Sequence, residues 1–247
     1  MSEAEFDRTA ASIAAELDGA ALDQRVAAAC RGSGNPAALA WLAEGLGLNE
    51  HSRAIDLGAG LGGPAAWISR RYGCTVIALE PAGGAATGAD ALFDLCVVRG
   101  EAAHAPFRDD SFEVALLLGV ISVVDDAAAV LREARRVGAR LGLLDYCSTN
   151  TAPVRAGGSE FRSSAALEAI VESAGWVVEQ AVDLTLPAPA SWDEAADAID
   201  PDIDAEASAS EAEVVAAIEA GIIAPRMLIA ARGDRARHLT AVSSSSR

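Results

Sequence analysis

The stretch AIDLGAGLGG, residues 54–63, sets four glycines directly behind a short apolar run that contains an acid. A run of that length reads as a buried strand, and glycines so close behind it read as a tight turn. The next nine residues, PAAWISRRY (64–72), carry Ala65, Ile68 and Tyr72 on one face at helical spacing, and Gly73 closes the helix. Strand, glycine turn and helix in that order are the opening of a unit that builds parallel sheets, so the feature restricts the chain to α/β architectures.

The rest of the chain repeats the alternation. Residues 5–30 read as one helix and 36–47 as a second, opened by Asn35 as cap and Pro36 in the first turn. Strands are expected at 53–57, 74–80, 95–100, 112–120, 140–146, 176–184 and 226–232, with a short glycine-broken connection ahead of the third. Val130, Leu131, Ala134 and Val137 share a helix face behind Asp125 and Asp126, and Leu167, Ile170, Val171 and Ala174 repeat that spacing before Gly175. Such a sheet has helices on both faces and binds ligands at the C-terminal ends of its strands.

Composition narrows the chemistry. A formal charge of −17, with arginine as the sole cationic type among 19 basic residues, repels phosphate backbones, so nucleic acid is a poor partner. The longest apolar runs fall short of the roughly 18 to 20 residues of a membrane span. The acidic start MSEAEFDRT does not resemble a signal peptide, and the sequence is read as cytoplasmic. Cys30, Cys74, Cys96 and Cys147 are scattered without a paired spacing, which fits reduced structural thiols and argues against a metal site.

The bare loop between strand and helix lets a ligand approach backbone N–H groups at a helix N-terminus. Gly58, Gly60 and Gly63 also satisfy GxGxxG, with Glu80 about 20 residues onward, so a dinucleotide site is one reading. Asp56 separates the alternatives: dehydrogenase fingerprints keep an apolar residue there, whereas an acid suits a cationic ligand. Its carboxylate is expected to brace the loop amides and to favour an ammonium group. Glu80 ends the second strand, where it can accept both hydroxyls of a ribose.

With the segment GEAAHAPFRDDSFEVALLLGV (100–120), the combination resembles the class I S-adenosylmethionine-dependent methyltransferases, in their small-molecule branch. Asp56, Gly58, Gly60 and Gly62 match the first motif and Glu80 the second. Gly100, Ala102, Pro106, Phe107, Ser111 and Phe112 match the third, and the resemblance covers about residues 35–183 plus the final strand. It implies a Rossmann-like, seven-stranded, mostly parallel sheet with helices on both faces and an antiparallel last strand. It further implies S-adenosylmethionine as cofactor and a small-molecule acceptor. The turn of Gly58, Ala59 and Gly60 would pass under the methionine part; Glu80 and Pro81 would border the ribose; Glu101 and Ala102 would meet adenine; Leu118 and Gly119 would flank the ligand from the fourth strand.

Three departures limit what the resemblance carries over. Glu101 stands in place of the usual aspartate, residues Gly119 to Val124 replace a common histidine pair, and RRVGARLGLL lacks a proline-glycine-glycine turn. No catalytic base is assigned. The methyl group arrives activated, so holding donor and acceptor in line and excluding water can supply most of the acceleration. His104 reads as a solvent-facing loop histidine, while for Tyr146 and Cys147 substrate contact and packing are evenly balanced. His51 and His238 are given no role.

The acidic stretch from Asp183 to Glu219 reads as an insertion, 185–224, whose helical second half presents Val214, Val215 and Ile218 as a lid face. Its charge fits a solvated surface better than a recruiter of cationic amines. The organisation expected is a helical extension over 1–34, a methyltransferase domain over 35–232 and a disordered tail over 233–247. Two other functions remain open from sequence: a nicotinamide-dependent oxidoreductase and a non-catalytic S-adenosylmethionine-binding protein.

Overall fold

The computed structural model describes residues 3–30, 35–183 and 205–233. The elements run α1 (Glu3–Glu16), α2 (Leu22–Ala29), α3 (Pro36–Leu46), β1 (Arg53–Leu57), α4 (Gly63–Tyr72), β2 (Thr75–Glu80), α5 (Gly83–Phe93), β3 (Cys96–Arg99) and β4 (Phe112–Leu118). They continue α6 (Ala127–Val137), β5 (Gly138–Ser148), β6 (Val154–Ala156), β7 (Ser159–Phe161), α7 (Ser164–Ser173), β8 (Trp176–Asp183), α8 (Ala205–Glu219) and β9 (Ile223–Arg232). Seven strands form one sheet in the order β3-β2-β1-β4-β5-β9-β8. β9 is antiparallel to both its neighbours, and the pairs from β3 across to β5 are parallel. The expected Rossmann-like sheet with an antiparallel last strand is the one observed.

Alternation along the strands divides the interior into two apolar layers. Ala54, Val76, Val114 and Leu116 face the layer covered by α1 to α5. Ile55, Leu57, Leu79, Leu117 and Leu143 face the layer beneath α6 and α7. Each fully buried aliphatic side chain in these layers contributes about 1.5–3 kcal/mol. Strand order reverses between β1 and β4, and in open α/β sheets the crevice at that reversal is where ligands bind.

Four local readings need correction. The single helix over 5–30 is two, because Gly19 sits at φ +74° and the chain turns before α2. The glycine-broken connection before the third strand is helix α5. Its glycines and alanines are small because α1 lies against it: a Cβ on Gly84 would stand 2.5 Å from the Asp7 carbonyl oxygen. β6 and β7 form a separate two-stranded hairpin that periodicity over three residues each could not reveal. On α8 the buried residue is Ala217, with Val214 and Ile218 beside it against Phe161 and Ile223, while Val215 is 45% exposed. The remaining expectations for 185–204, and for the tail from 234, lie outside the described residues. α1 and α2 contribute Ile13 and Val26 to the layer that holds β1, so the N-terminal helices share the core of the sheet.

Candidate functional site

The glycine turn comes directly after β1. Gly58 and Gly60 have φ of +82° and +55°, in the left-handed region that side chains rarely adopt. A Cβ on Gly58 would meet Val120 Cγ2 at 2.9 Å, so there the bare backbone also makes room for the chain leaving β4. At Gly60 the nearest atom to such a Cβ is Phe6 Cζ of α1, at 3.7 Å, and conformation rather than space is what demands glycine. The turn hangs from β2: Gly58 and Ala59 both donate their N–H to the Leu79 carbonyl, at 2.8 and 3.1 Å.

Two acids meet behind the turn. Asp56 on β1 and Glu80 on β2 point to the same side of adjacent strands and are 1% and 4% exposed. Glu80 takes the Gly60 N–H on Oε2 at 2.8 Å and the Ala82 N–H on Oε1 at 2.9 Å. The brace for the loop amides is therefore Glu80. Asp56, expected in that part, lies deeper on its strand, and among the described residues nothing donates a hydrogen bond to either of its oxygens. Burial, reinforced by the neighbouring Glu80 charge, pushes its carboxyl up to about 7. The Cys30 thiol at the end of α2 is driven upward in turn, by burial first and by Asp56 second.

The other expected site residues surround this pair. Pro81 comes next after Glu80, and its carbonyl accepts from Arg99 Nη2 at 2.8 Å, which ties the ends of β2 and β3. Ala102 is buried, whereas Glu101 is exposed and lies 3.6 Å from the equally exposed His104, in keeping with a solvent-facing histidine. The segment they belong to is fixed from below: Arg136 donates to the carbonyls of Phe107 and Ala105, and Glu133 accepts the Ala105 N–H. Leu118 is buried at the end of β4, and Gly119 donates its N–H to the Leu144 carbonyl at 2.8 Å.

Sequence reasoning misses Asp145, an acid at the end of the apolar strand β5. The signal that could have found it is the one that singles out Asp56. Asp145 is 1% exposed and faces the α6–α7 side, with Ser122 N–H on Oδ2 at 3.0 Å and Tyr146 N–H on Oδ1 at 2.8 Å. The hairpin docks on the same loop, through Glu160 N–H to the Ser122 carbonyl and Arg162 Nη1 to the Ile121 carbonyl. Tyr146 is packed with the hairpin and α8, and Cys147 is buried, its thiol pushed up to about 12 chiefly by burial. Among the described residues no cluster of three or more potential metal ligands occurs, and no helix is long and apolar enough to cross a membrane.

Residues 55–144 match the family described as "Methyltransferase domain". That stretch resembles a methyltransferase domain. The chain is 30% identical over 124 residues to the methyltransferase GfsG of Streptomyces halstedii, a match covering 44% of this chain and 43% of that one. It is also 30% identical over 109 residues to norajmaline N-methyltransferase of Rauvolfia serpentina, covering 40% and 37%. The chain thus spans less than half the length of the curated relatives it matches.

Among solved structures, the [4+2]-cyclase SpnF superposes with a TM-score of 0.67 at 17% identity, over 78% of this chain and 79% of that one. A geranyl diphosphate C-methyltransferase from Streptomyces coelicolor, in complex with Mg2+, geranyl diphosphate and S-adenosyl-L-homocysteine, superposes at 0.62 and 17%, over 79% and 78%. At these identities the likeness establishes the fold, which is that of the methyltransferases.

Proposed function

We propose that the protein transfers the methyl group of S-adenosylmethionine to a small-molecule acceptor. The observation that carries this reading is the pair of buried acids behind the glycine turn, one of them without a hydrogen-bond donor among the described residues. A buried carboxylate left so is strongly disfavoured unless a cation reaches it, and the methionine end of this cofactor is cationic. The residues fit the group in a second respect. Each carboxylate oxygen can accept more than one hydrogen bond, so Glu80 can brace Gly60 and still receive ribose hydroxyls.

In this reading Gly58, Ala59 and Gly60 line the methionine part, and Asp56 draws its ammonium group. Glu80 and Pro81 border the ribose, Glu101 and Ala102 the adenine, and Leu118 and Gly119 close the side next to β4. Bound there, the cofactor supplies a methyl group activated for in-line attack. The chain's own contribution is to orient the two partners and keep water out, which needs no dedicated base. A nucleic-acid substrate is disfavoured by the −17 charge. The four free cysteines support a reducing, cytoplasmic setting.

The structural neighbour named as a cyclase keeps a second reading in view, in which the same pocket serves a reaction other than methyl transfer. Incubating the protein with isotopically labelled S-adenosylmethionine and a metabolite extract, then identifying labelled products by mass, decides between them. A labelled small molecule, lost with Gly60→Val while circular dichroism still shows the folded sheet, is the expected result. Cofactor binding without any transferred label favours the second reading, and wild-type affinity in folded Gly60→Val overturns the placement of the cofactor on the turn.

A further inference from the structure

Asp56 and Glu80 lie side by side, yet their surroundings differ. Glu80 has backbone N–H groups on both oxygens, from Gly60 and Ala82. Asp56 accepts from none of the described residues and forms no ion pair with an arginine among them. The titratable groups that face it are Glu80 on β2 and the Cys30 thiol at the end of α2. Its partners in register, Ala78 on β2 and Leu116 on β4, are apolar. Two adjacent buried carboxyls with donors for only one of them do not both ionise, and the proton they keep belongs on the one without donors.

Resting on the methyltransferase reading, we propose that Asp56 is a proton-exchanging cation seat: it is protonated in the cofactor-free protein, and the ammonium end of S-adenosylmethionine displaces that proton on binding. The O–H bond of the Asp56 carboxyl breaks, the proton passes to solvent, and the carboxylate pairs with the arriving cation, so one positive charge replaces another. A carboxyl at about 7 places the exchange where small pH changes matter. Cofactor affinity then tightens as pH rises toward that value and falls again above about pH 8, where the α-amino group loses its own proton. Below that pH the Asp56 carboxyl is neutral when the seat is empty and ion-paired when it is filled.

Calorimetric titration of the full chain with S-adenosylmethionine, in buffers of different ionisation enthalpy, counts the protons released. The expected release is about nine-tenths of a proton per cofactor at pH 6 and close to none at pH 7.5, where uptake by the partly deprotonated α-amino group offsets it, with binding roughly fivefold tighter at the higher pH. At pH 6, where the α-amino group is fully charged, Asp56→Asn is expected to bind with no buffer-dependent heat. Binding by the wild type at pH 6 without proton release overturns the inference and leaves the methyltransferase reading standing. Proton release that persists in Asp56→Asn assigns the proton to another group and also overturns it. No binding at either pH removes both together.

Discussion

Asp56 and Asp145 are the same residue type, each 1% exposed near the C-terminal end of a central strand, on opposite faces of the sheet. Asp145 is surrounded by donors: the amides of Ser122 and Tyr146 at 3.0 and 2.8 Å, with further bonds from the Ser122 hydroxyl and the Ile121 amide. Asp56 has none among the described residues. A buried acid whose lone pairs are filled by its own chain is a fastening, and it pins the loop after β4 to the end of β5. A buried acid whose lone pairs are unfilled is held in reserve for something that arrives. Burial is the first cause that raises both carboxyls, so the donor count separates the two roles where the direction of the shift does not.

The largest effect expected from this contrast is on Asp145. Asp145→Ala leaves the Ser122 and Tyr146 amides unpaired in the interior at about 1–3 kcal/mol each, so unfolding free energy should drop by roughly 2 to 6 kcal/mol in a denaturant titration. A loss below about 1 kcal/mol would break the distinction, because Asp145 would then be no more a fastening than Asp56.

Asp56→Asn should act with the opposite sign. Its carboxyl rises from 3.8 in the unfolded chain to about 7 in the fold. Its stabilising share is therefore whole below pH 4 and is lost as pH climbs to 7, where ionisation favours the unfolded chain. The ceiling on that loss is about 4 kcal/mol, from three units at about 1.4 kcal/mol each. Removing the titrating group should leave cofactor-free stability less dependent on pH, so that relative to wild type the variant gains between pH 5 and pH 8. Thermal melts at both values would measure the gain, and parallel wild-type and variant curves would contradict the assignment.

Glu80→Ala sharpens the contrast from the ligand side. Loss of a charged acceptor for ribose hydroxyls should weaken cofactor binding by about 1.5–3 kcal/mol per hydrogen bond, with the sheet still folded. Unchanged calorimetric affinity would confine Glu80 to bracing Gly60. The smallest effect is expected at the periphery, where the exposed Glu213 on α8 accepts the Gly157 N–H at 2.8 Å. Glu213→Ala should cost about 1 kcal/mol, the net contribution of a single hydrogen bond. That value calibrates how much of the Asp145 effect comes from burial.

The two regions also differ in how they are written in the chain. The glycine turn and its two acids all fall between Asp56 and Glu80 and depend on local geometry, so spacing exposes them. Which acid braces the loop is not legible there, because spacing says which strand an acid is on but not how far its carboxylate reaches. The second region draws on Ser122, Asp145, Glu160 and Arg162, whose contacts span 23 to 41 positions and follow no repeating pattern. Strands at 53–57 and 112–118 are readable as short, mainly apolar runs. Helix α5 is not, since its glycines and alanines answer to α1, a neighbour from an earlier part of the chain.

α6 ends at Val137 and β5 begins at Gly138, with no linking residue between helix and strand. Arg232 on β9 clamps this junction from the next strand, donating to the carbonyls of Gly138 and Arg136. One residue before the junction, Arg136 grips the 105–109 segment; at the far end of β5, Asp145 grips the loop after β4. Mechanically this is a strut with a welded elbow, and a load at one grip reaches the other because the chain between them has no slack. Lengthening the connection by even one residue would turn the weld into a joint and let the two walls of the crevice move independently.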